Sequence, residues 1–167
     1  MRERHESQGA RREREFEAFV AGASGRLLHT ATLLTAEAPD ANPRARRLLT
    51  LALAETYASW DRLRGEDPYD RARRRLATRF AHSAWHRYGP LGRLGRHRPD
   101  AGSALAALSP QERLILVLRL YEGVAEEQTA AQLGLPAERV RMICARATTT
   151  LLHRPQEPAP APLAAPS

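Results

Sequence analysis

From Phe16 onward, apolar side chains recur at Phe16, Phe19, Val20, Ala23, Leu27, Ala31 and Leu34, three to four residues apart. A helix turns once in about 3.6 residues, so this spacing gathers them on one side and predicts a first helix, carrying Gly22 and Gly25 along its length. The loop AEAPDANP ends it. Pro43 behind Asn42 suits a new helical start, because proline lacks only an N–H that a first turn leaves unpaired. A second stripe then runs through Leu49, Ala52, Leu53, Thr56 and Trp60, and Asp61 to Pro68, with Gly65, closes it.

A third helix is predicted over about Tyr69 to Tyr88. At roughly 100° per residue, Arg71, Arg75, Arg79, His82 and His86 fall within an arc of about 80°, opposite Leu76, Ala77, Phe80, Ala81 and Ala84. Arg73 breaks the segregation. Docked by its apolar stripe, such a helix presents a row of cations able to follow a phosphate backbone, though an ordinary solvated face fits the pattern equally.

The segment YGPLGRLGRHRPDAGSA has Gly89, Gly92, Gly95 and Gly102 with Pro90 and Pro99, lacks periodicity and reads as a linker. SPQE follows: Ser109 caps, Pro110 fits the first helical position and Glu112 completes a capping box before Leu114, Val117, Leu118 and Tyr121. Glu126 to Leu133 then predicts a short helix, Gly134 a tight turn, and a longer helix starts near Ala137. On that last helix Val140, Cys144, Ala147 and Leu151 share the inner face. Arg139, Met142, Arg146 and, further round, Arg141 turn outward, where the recognition helix of a helix-turn-helix meets the major groove. A plain helical hairpin is the alternative. No strand and no internal repeat is predicted.

Composition sharpens this picture. The 167 residues have room for one ordinary domain or two small ones, and only 5% are aromatic, which favours cores of aliphatic helices. The net charge of +7 favours polyanionic partners. Every basic residue is Arg, and residues 61 to 100 hold 11 Arg against 5 acidic residues, so one segment carries most of the excess. The ends, MRERHESQGARRERE and RPQEPAPAPLAAPS, are expected to be disordered. The single Cys144 forms no internal disulfide and is read as a small core hydrophobe; no signal peptide or membrane span is expected, which places the chain in the cytoplasm. His82 and His86 lie four apart without a Cys or carboxylate cluster to complete a metal site. Without a nucleotide loop, nucleophile motif or carboxylate pair, neither an enzyme nor a cofactor is expected. Trp60 is assigned to the core, and Trp85, at the stripe's edge, to base stacking.

LSPQERLILVLRLYEGVAEEQTAAQLGLPAERVRMICARATTTLL resembles region four of the extracytoplasmic-function sigma factors, especially their sigma-E-like actinobacterial branch. FEAFVAGASGRLLHTATLLTAEAP with ARRLLTLALAETYASWDRLRGEDPYDRARRRLATRFAHSAWHR is similar to region two. The resemblance implies an all-α fold of two small helical domains: a disordered tail over 1–14, a region-two-like bundle of three to four helices over 15–88, a flexible linker over 89–103, a region-four-like helix-turn-helix over 104–153 and a Pro/Ala tail over 154–167. It implies binding to RNA polymerase core and promoter DNA, leaves room for an anti-sigma partner, and involves no membrane. Arg71, Arg75, Arg79 and Trp85 would lie near the minus-ten element, and Arg139, Arg141, Met142 and Arg146 at the minus-thirty-five element. Arg47, Leu48, Thr50 and Leu51 would face the polymerase.

Two places depart from the family's pattern. An acidic, glutamine-bearing run of the type E-D-L-V-Q-E becomes RRLLTL, Arg46 to Leu51, which reverses charge where the polymerase is gripped. In the last helix, Met142 and Ile143 replace a hydroxyl and an Arg, and are expected as an outward apolar pair. Three functions follow: a sigma factor directing initiation, a diverged sigma-like regulator that does not support initiation, and a helical interaction module that binds no nucleic acid.

Overall fold

A computed structural model describes residues 2–63, 65–88 and 103–153, with side chains described over 7–63, 65–84 and 103–153. Its long helices are α1 (Arg2–Thr35), α2 (Pro43–Ala58), α3 (Pro68–Tyr88), α4 (Pro110–Leu116), α5 (Glu126–Leu133) and α6 (Ala137–Leu152). Short 3-10 turns occupy Trp60–Arg62 and Ala104–Ala107, and a π-helical turn over Val117–Tyr121 extends α4. Among the described residues no strand forms. The linker expected over 89–103, apart from Ser103, and the tail over 154–167 lie outside the described residues.

Helix α1 begins at Arg2, so residues 2–14 of the segment expected as a disordered tail are part of the helix. Its charges find partners that a one-dimensional pattern does not show. Arg11 Nε donates to Glu15 one turn on at 2.7 Å, while Arg12 donates to the Tyr57 carbonyl at 2.7 Å, lies 4.2 Å above the Tyr57 ring and pairs with Asp61 at 3.1 Å. Phe16 and Phe19 pack on Trp60, with ring centroids 5.2 and 5.4 Å away, which puts Trp60 in a half-buried aromatic cluster. This cluster pins the lower part of α1 to the end of α2.

Pro43 takes the first turn of α2, as expected, but Asn42 does not cap it through its side chain. Glu37 does so instead: its carboxylate accepts from the backbone N–H of Arg44 at 3.1 Å and of Ala45 at 2.8 Å, a negative charge at the positive end of a helix. Asn42 donates inward, to Thr32 at 3.0 Å. At the start of α4 the capping box of Ser109 and Glu112 is present in both directions.

The apolar stripes meet as their periodicity requires. Leu27, Ala31 and Leu34 of α1, Ala45, Leu49 and Ala52 of α2, and Leu76, Ala77 and Phe80 of α3 are buried in one cluster. That cluster does not stop at the N-terminal half. Leu114, Val117, Leu118 and Val124 belong to it too, so the two halves share a hydrophobic seam. The C-terminal half also keeps its own apolar sets, Ile115, Ala130, Val140 and Ile143 in one and Leu108, Leu116 and Ala147 in another.

Candidate nucleic-acid interface

The α5–turn–α6 unit is built by local chemistry. Gly134 ends α5 at φ 64, a left-handed conformation that side chains with a Cβ resist, and Leu135 N–H donates to the Ala130 carbonyl at 3.0 Å to close the turn. Val140, Ile143 and Ala147 then bury one face of α6 against α4 and α5. This fixes what the helix turns outward. Arg139, Arg141, Met142 and Arg146 are all exposed, Met142 to 60%.

The outward apolar pair expected at Met142 and Ile143 is corrected: Ile143 is buried beside Ile115 and Val140, and Met142 alone faces solvent. Helical spacing from Val140 to Ala147 explains this, since residues three and four apart share a face and 143 falls between them. Cys144 lies half-buried at the edge of the same cluster, and burial pushes its thiol above the ordinary value.

The three arginines of this face differ in availability. Arg146 Nε donates to Glu112 at 2.9 Å, and Arg141 pairs with Glu138 one turn earlier. Arg139 has no acidic partner among the described residues. Hydrogen bonding from the Ser109 hydroxyl, then from its backbone, together with Arg146, holds the Glu112 carboxyl below its usual range. Glu112 therefore links the cap of α4 to the outer face of α6.

On α3, Arg71, Arg75 and Arg79 share one side, as the arc of positions predicted. That side faces acids. Arg71 lies 3.3 Å from Glu66, while Arg75, at 3.8 Å, and Arg79, in close contact, both meet Glu55 of α2. Arg73, the exception to the pattern, points inward between Asp70 at 2.9 Å and Glu122 at 3.9 Å. His82 is exposed and its Nδ1 lies 3.0 Å from the Thr78 carbonyl. The side chains of Trp85 and His86 lie outside the described residues.

The outer face of α2 carries Arg46, Arg47, Thr50 and Leu51, all exposed. Leu48, placed at the polymerase-facing surface by the sequence, is instead buried in the shared core, because it lies on the same side as Ala45, Leu49 and Ala52. Arg46 is tethered to the Asn42 side chain at 3.0 Å, and Thr50 donates back to the Arg46 carbonyl at 2.9 Å. Arg47 and Leu51 are thus the projecting groups.

The C-terminal unit, from the 3-10 turn at Ala104 to the end of α6, coincides with the match of a family model for Sigma-70, region 4, over residues 104–152. Across 153 residues the chain is 30% identical to an RNA polymerase sigma-E factor of Streptomyces avermitilis, covering 82% of this chain and 83% of that one. The chain belongs to the sigma-E family of RNA polymerase sigma factors. Sigma-E factors of Streptomyces coelicolor, at 28% identity, and Streptomyces antibioticus, at 30%, are similar over the same 82% of the chain, covering 84% and 82% of their own lengths. No solved structure gives a significant match. The sigma-E likeness covers 82% of the chain, more than the region 4 match over residues 104–152 accounts for, so it reaches into the N-terminal bundle.

Two acidic residues that pair with these arginines are not marked by any sequence pattern. Glu55 neutralises two arginines of α3 from a neighbouring helix, and Glu122 is buried among groups of α1 and α3. Neither sits in a motif. Glu55 flanks the apolar stripe of α2 beside Thr56, a weak sign that it faces a neighbouring helix.

Proposed function

We propose that this sigma-E-family protein binds RNA polymerase core and directs it to promoter DNA. The observation that carries this is the exposed face of α6, where Arg139, Arg141, Met142 and Arg146 stand clear of the core on the second helix of a helix-turn-helix. Guanidinium groups serve both phosphates and guanine edges, and the Met142 thioether side chain is fit for a thymine methyl. This face is assigned to the upstream promoter element. Arg71, Arg75 and Arg79, with Trp85, are assigned to the downstream element, where phosphates would exchange for Glu55 and Glu66. Arg47, Thr50 and Leu51 form the polymerase-facing surface, with Arg46 at its edge. Action on polymerase places the protein in the cytoplasm, and an anti-sigma partner fits the same reading.

Purified core polymerase tests the proposal through co-purification and run-off transcription. Specific transcripts are expected with this protein present; absence of core binding would overturn the reading. A second reading has one specific observation in its favour: Arg46, Arg47 and Leu51 are exposed where the family carries acids. A sigma-like regulator that binds DNA without initiating would give a footprint but no transcript.

A further inference from the structure

The Glu112 carboxylate accepts hydrogen bonds on both of its oxygens, from two different elements. Oε2 takes the backbone N–H of Ser109 at 2.9 Å and the Ser109 hydroxyl at 2.7 Å, while Oε1 takes Arg146 Nε at 2.9 Å, 34 residues further along the chain. The Glu112 side chain is only 15% exposed, that of Arg146 68%. A fixed acid therefore holds the inner edge of a guanidinium whose outer end projects into solvent.

The backbone under Arg146 is fixed as well. Ala147, the next residue, is fully buried in the cluster of Leu108 and Leu116. At roughly 100° per residue, Arg139, Met142 and Arg146 fall within an arc of about 60°, with Arg146 on the flank next to α4. Other acids on these helices meet arginines at the end nitrogen: Glu55 contacts Arg79, and Glu138 contacts Arg141, at Nη2. Glu112 takes Nε instead, and among the described residues none accepts from either Nη of Arg146. Those two nitrogens form a planar pair of donors matched to two oxygens of a phosphate.

We propose that Glu112 is a positioning residue that aims the Arg146 guanidinium at a backbone phosphate of the DNA duplex. The inference rests on the promoter-directing reading. A loose arginine gives up rotamer freedom when it grips a phosphate, and one already held at Nε has less to lose. Such a contact fixes the register of α6 on the duplex and leaves base edges to Arg139 and Met142, nearer the start of the helix. Two opposite effects meet in this carboxylate. If Glu112 merely offset the charge of Arg146, neutralising it would tighten DNA binding; if it aims Arg146, neutralising it loosens binding. The sign of the change separates them.

Glu112→Gln makes the test. An amide has one acceptor oxygen, and the two donors of Ser109 draw it toward the cap, so the NH2 meets Arg146 Nε donor to donor. Glutamine serves in a capping box, so the helix start survives and the melting temperature stays close to wild type. Fluorescence anisotropy follows the full chain binding a mixed-sequence DNA duplex across salt concentrations. Glu112→Gln is expected to weaken binding by about threefold to tenfold at an unchanged salt slope. Arg146→Ala weakens it at least as much and lowers the slope by about one, and in that background Glu112→Gln causes no further loss. Circular dichroism checks folding; should Glu112→Gln lose helicity, Glu112→Asp, which keeps the charge and shortens the reach to Arg146, decides by the same loss of affinity. Unchanged or tighter binding by the folded Glu112 variant, or wild-type affinity in Arg146→Ala, would overturn the positioning role and leave the promoter reading standing. A wild type that does not bind the duplex, or binds it without dependence on salt, would remove the promoter reading and this inference with it.

Discussion

Helices α3 and α6 both carry arginines at helical spacing, and they present them differently. On α3, Arg71, Arg75 and Arg79 turn toward Glu66 and Glu55, which lie within ion-pair distance. On α6, Arg139, Arg141 and Arg146 turn toward solvent, with Arg139 free of acidic partners among the described residues. A phosphate approaching α6 meets a guanidinium that is already available. One approaching α3 must displace a carboxylate first. The count of arginines on a helix therefore says less about nucleic-acid affinity than the acids its neighbours supply.

The comparison breaks most visibly through the orientation of α6. Ile143→Arg buries an unpaired charge beside Ile115 and Val140 and is expected to cost about 3–5 kcal/mol, whereas Met142→Arg, one residue away, stays within about 0.5 kcal/mol and tightens DNA binding. Urea denaturation measures both. Equal destabilisation by the two would mean that the outer face of α6 is wrongly assigned.

Binding ranks next. Arg139→Ala is expected to weaken binding to duplex carrying the upstream element by about fivefold to a hundredfold, as for loss of a base-reading arginine, while Arg79→Ala, whose charge Glu55 already offsets, changes it by less. Fluorescence anisotropy at fixed salt compares them, and the reverse order would make α3 the primary contact. A gain of function sharpens the same contrast. Glu55→Gln frees Arg75 and Arg79 and is expected to steepen the slope of log affinity against log salt by about one to two. Glu138→Gln, which frees only Arg141 from an exposed pair, should steepen it less.

The smallest effect concerns Glu112, which serves the cap and Arg146 at once. Glu112→Ala is expected to cost about 1 kcal/mol, seen as a melting temperature lower by several degrees. Because its carboxyl is held below its ordinary value of 4.5, its contribution is fully present above about pH 4.5 and is lost as pH falls through the lower folded value. Melting temperatures below pH 4.5 should therefore fall more steeply for the wild type than for Glu112→Ala.

Much of this architecture is legible in single segments. The Ser109–Glu112 box, Pro43 and Gly134 act on backbone groups within a few residues of themselves, and each appears at the position its spacing predicts. The outward set on α6 follows from period alone, and so does the inward place of Ile143, three residues after Val140; its place in the family's run, not the period, suggested an outward position. Leu48 misled for a related reason: the place of a residue in a family's run does not say which side of the helix it occupies. The N-terminal charges misled because mixed charge without an apolar stripe reads as disorder, whereas Arg12 finds the ring and carbonyl of Tyr57 on another helix.

The starts of α2 and α4, the capping box, the tight turn at Gly134 and the outer face of α6 were thus determined by the amino-acid order, since hydrogen bonds and side-chain period act over a few neighbouring residues. Which charges stay available, and whether the two halves touch, was decided by the tertiary structure. Arg79 and Glu55 are 24 residues apart, Tyr69 and Glu122 are 53, and Thr30 and Glu122 are 92. Electrostatic pairing depends on distance through space, and only packing of the apolar stripes brings such residues within reach of one another.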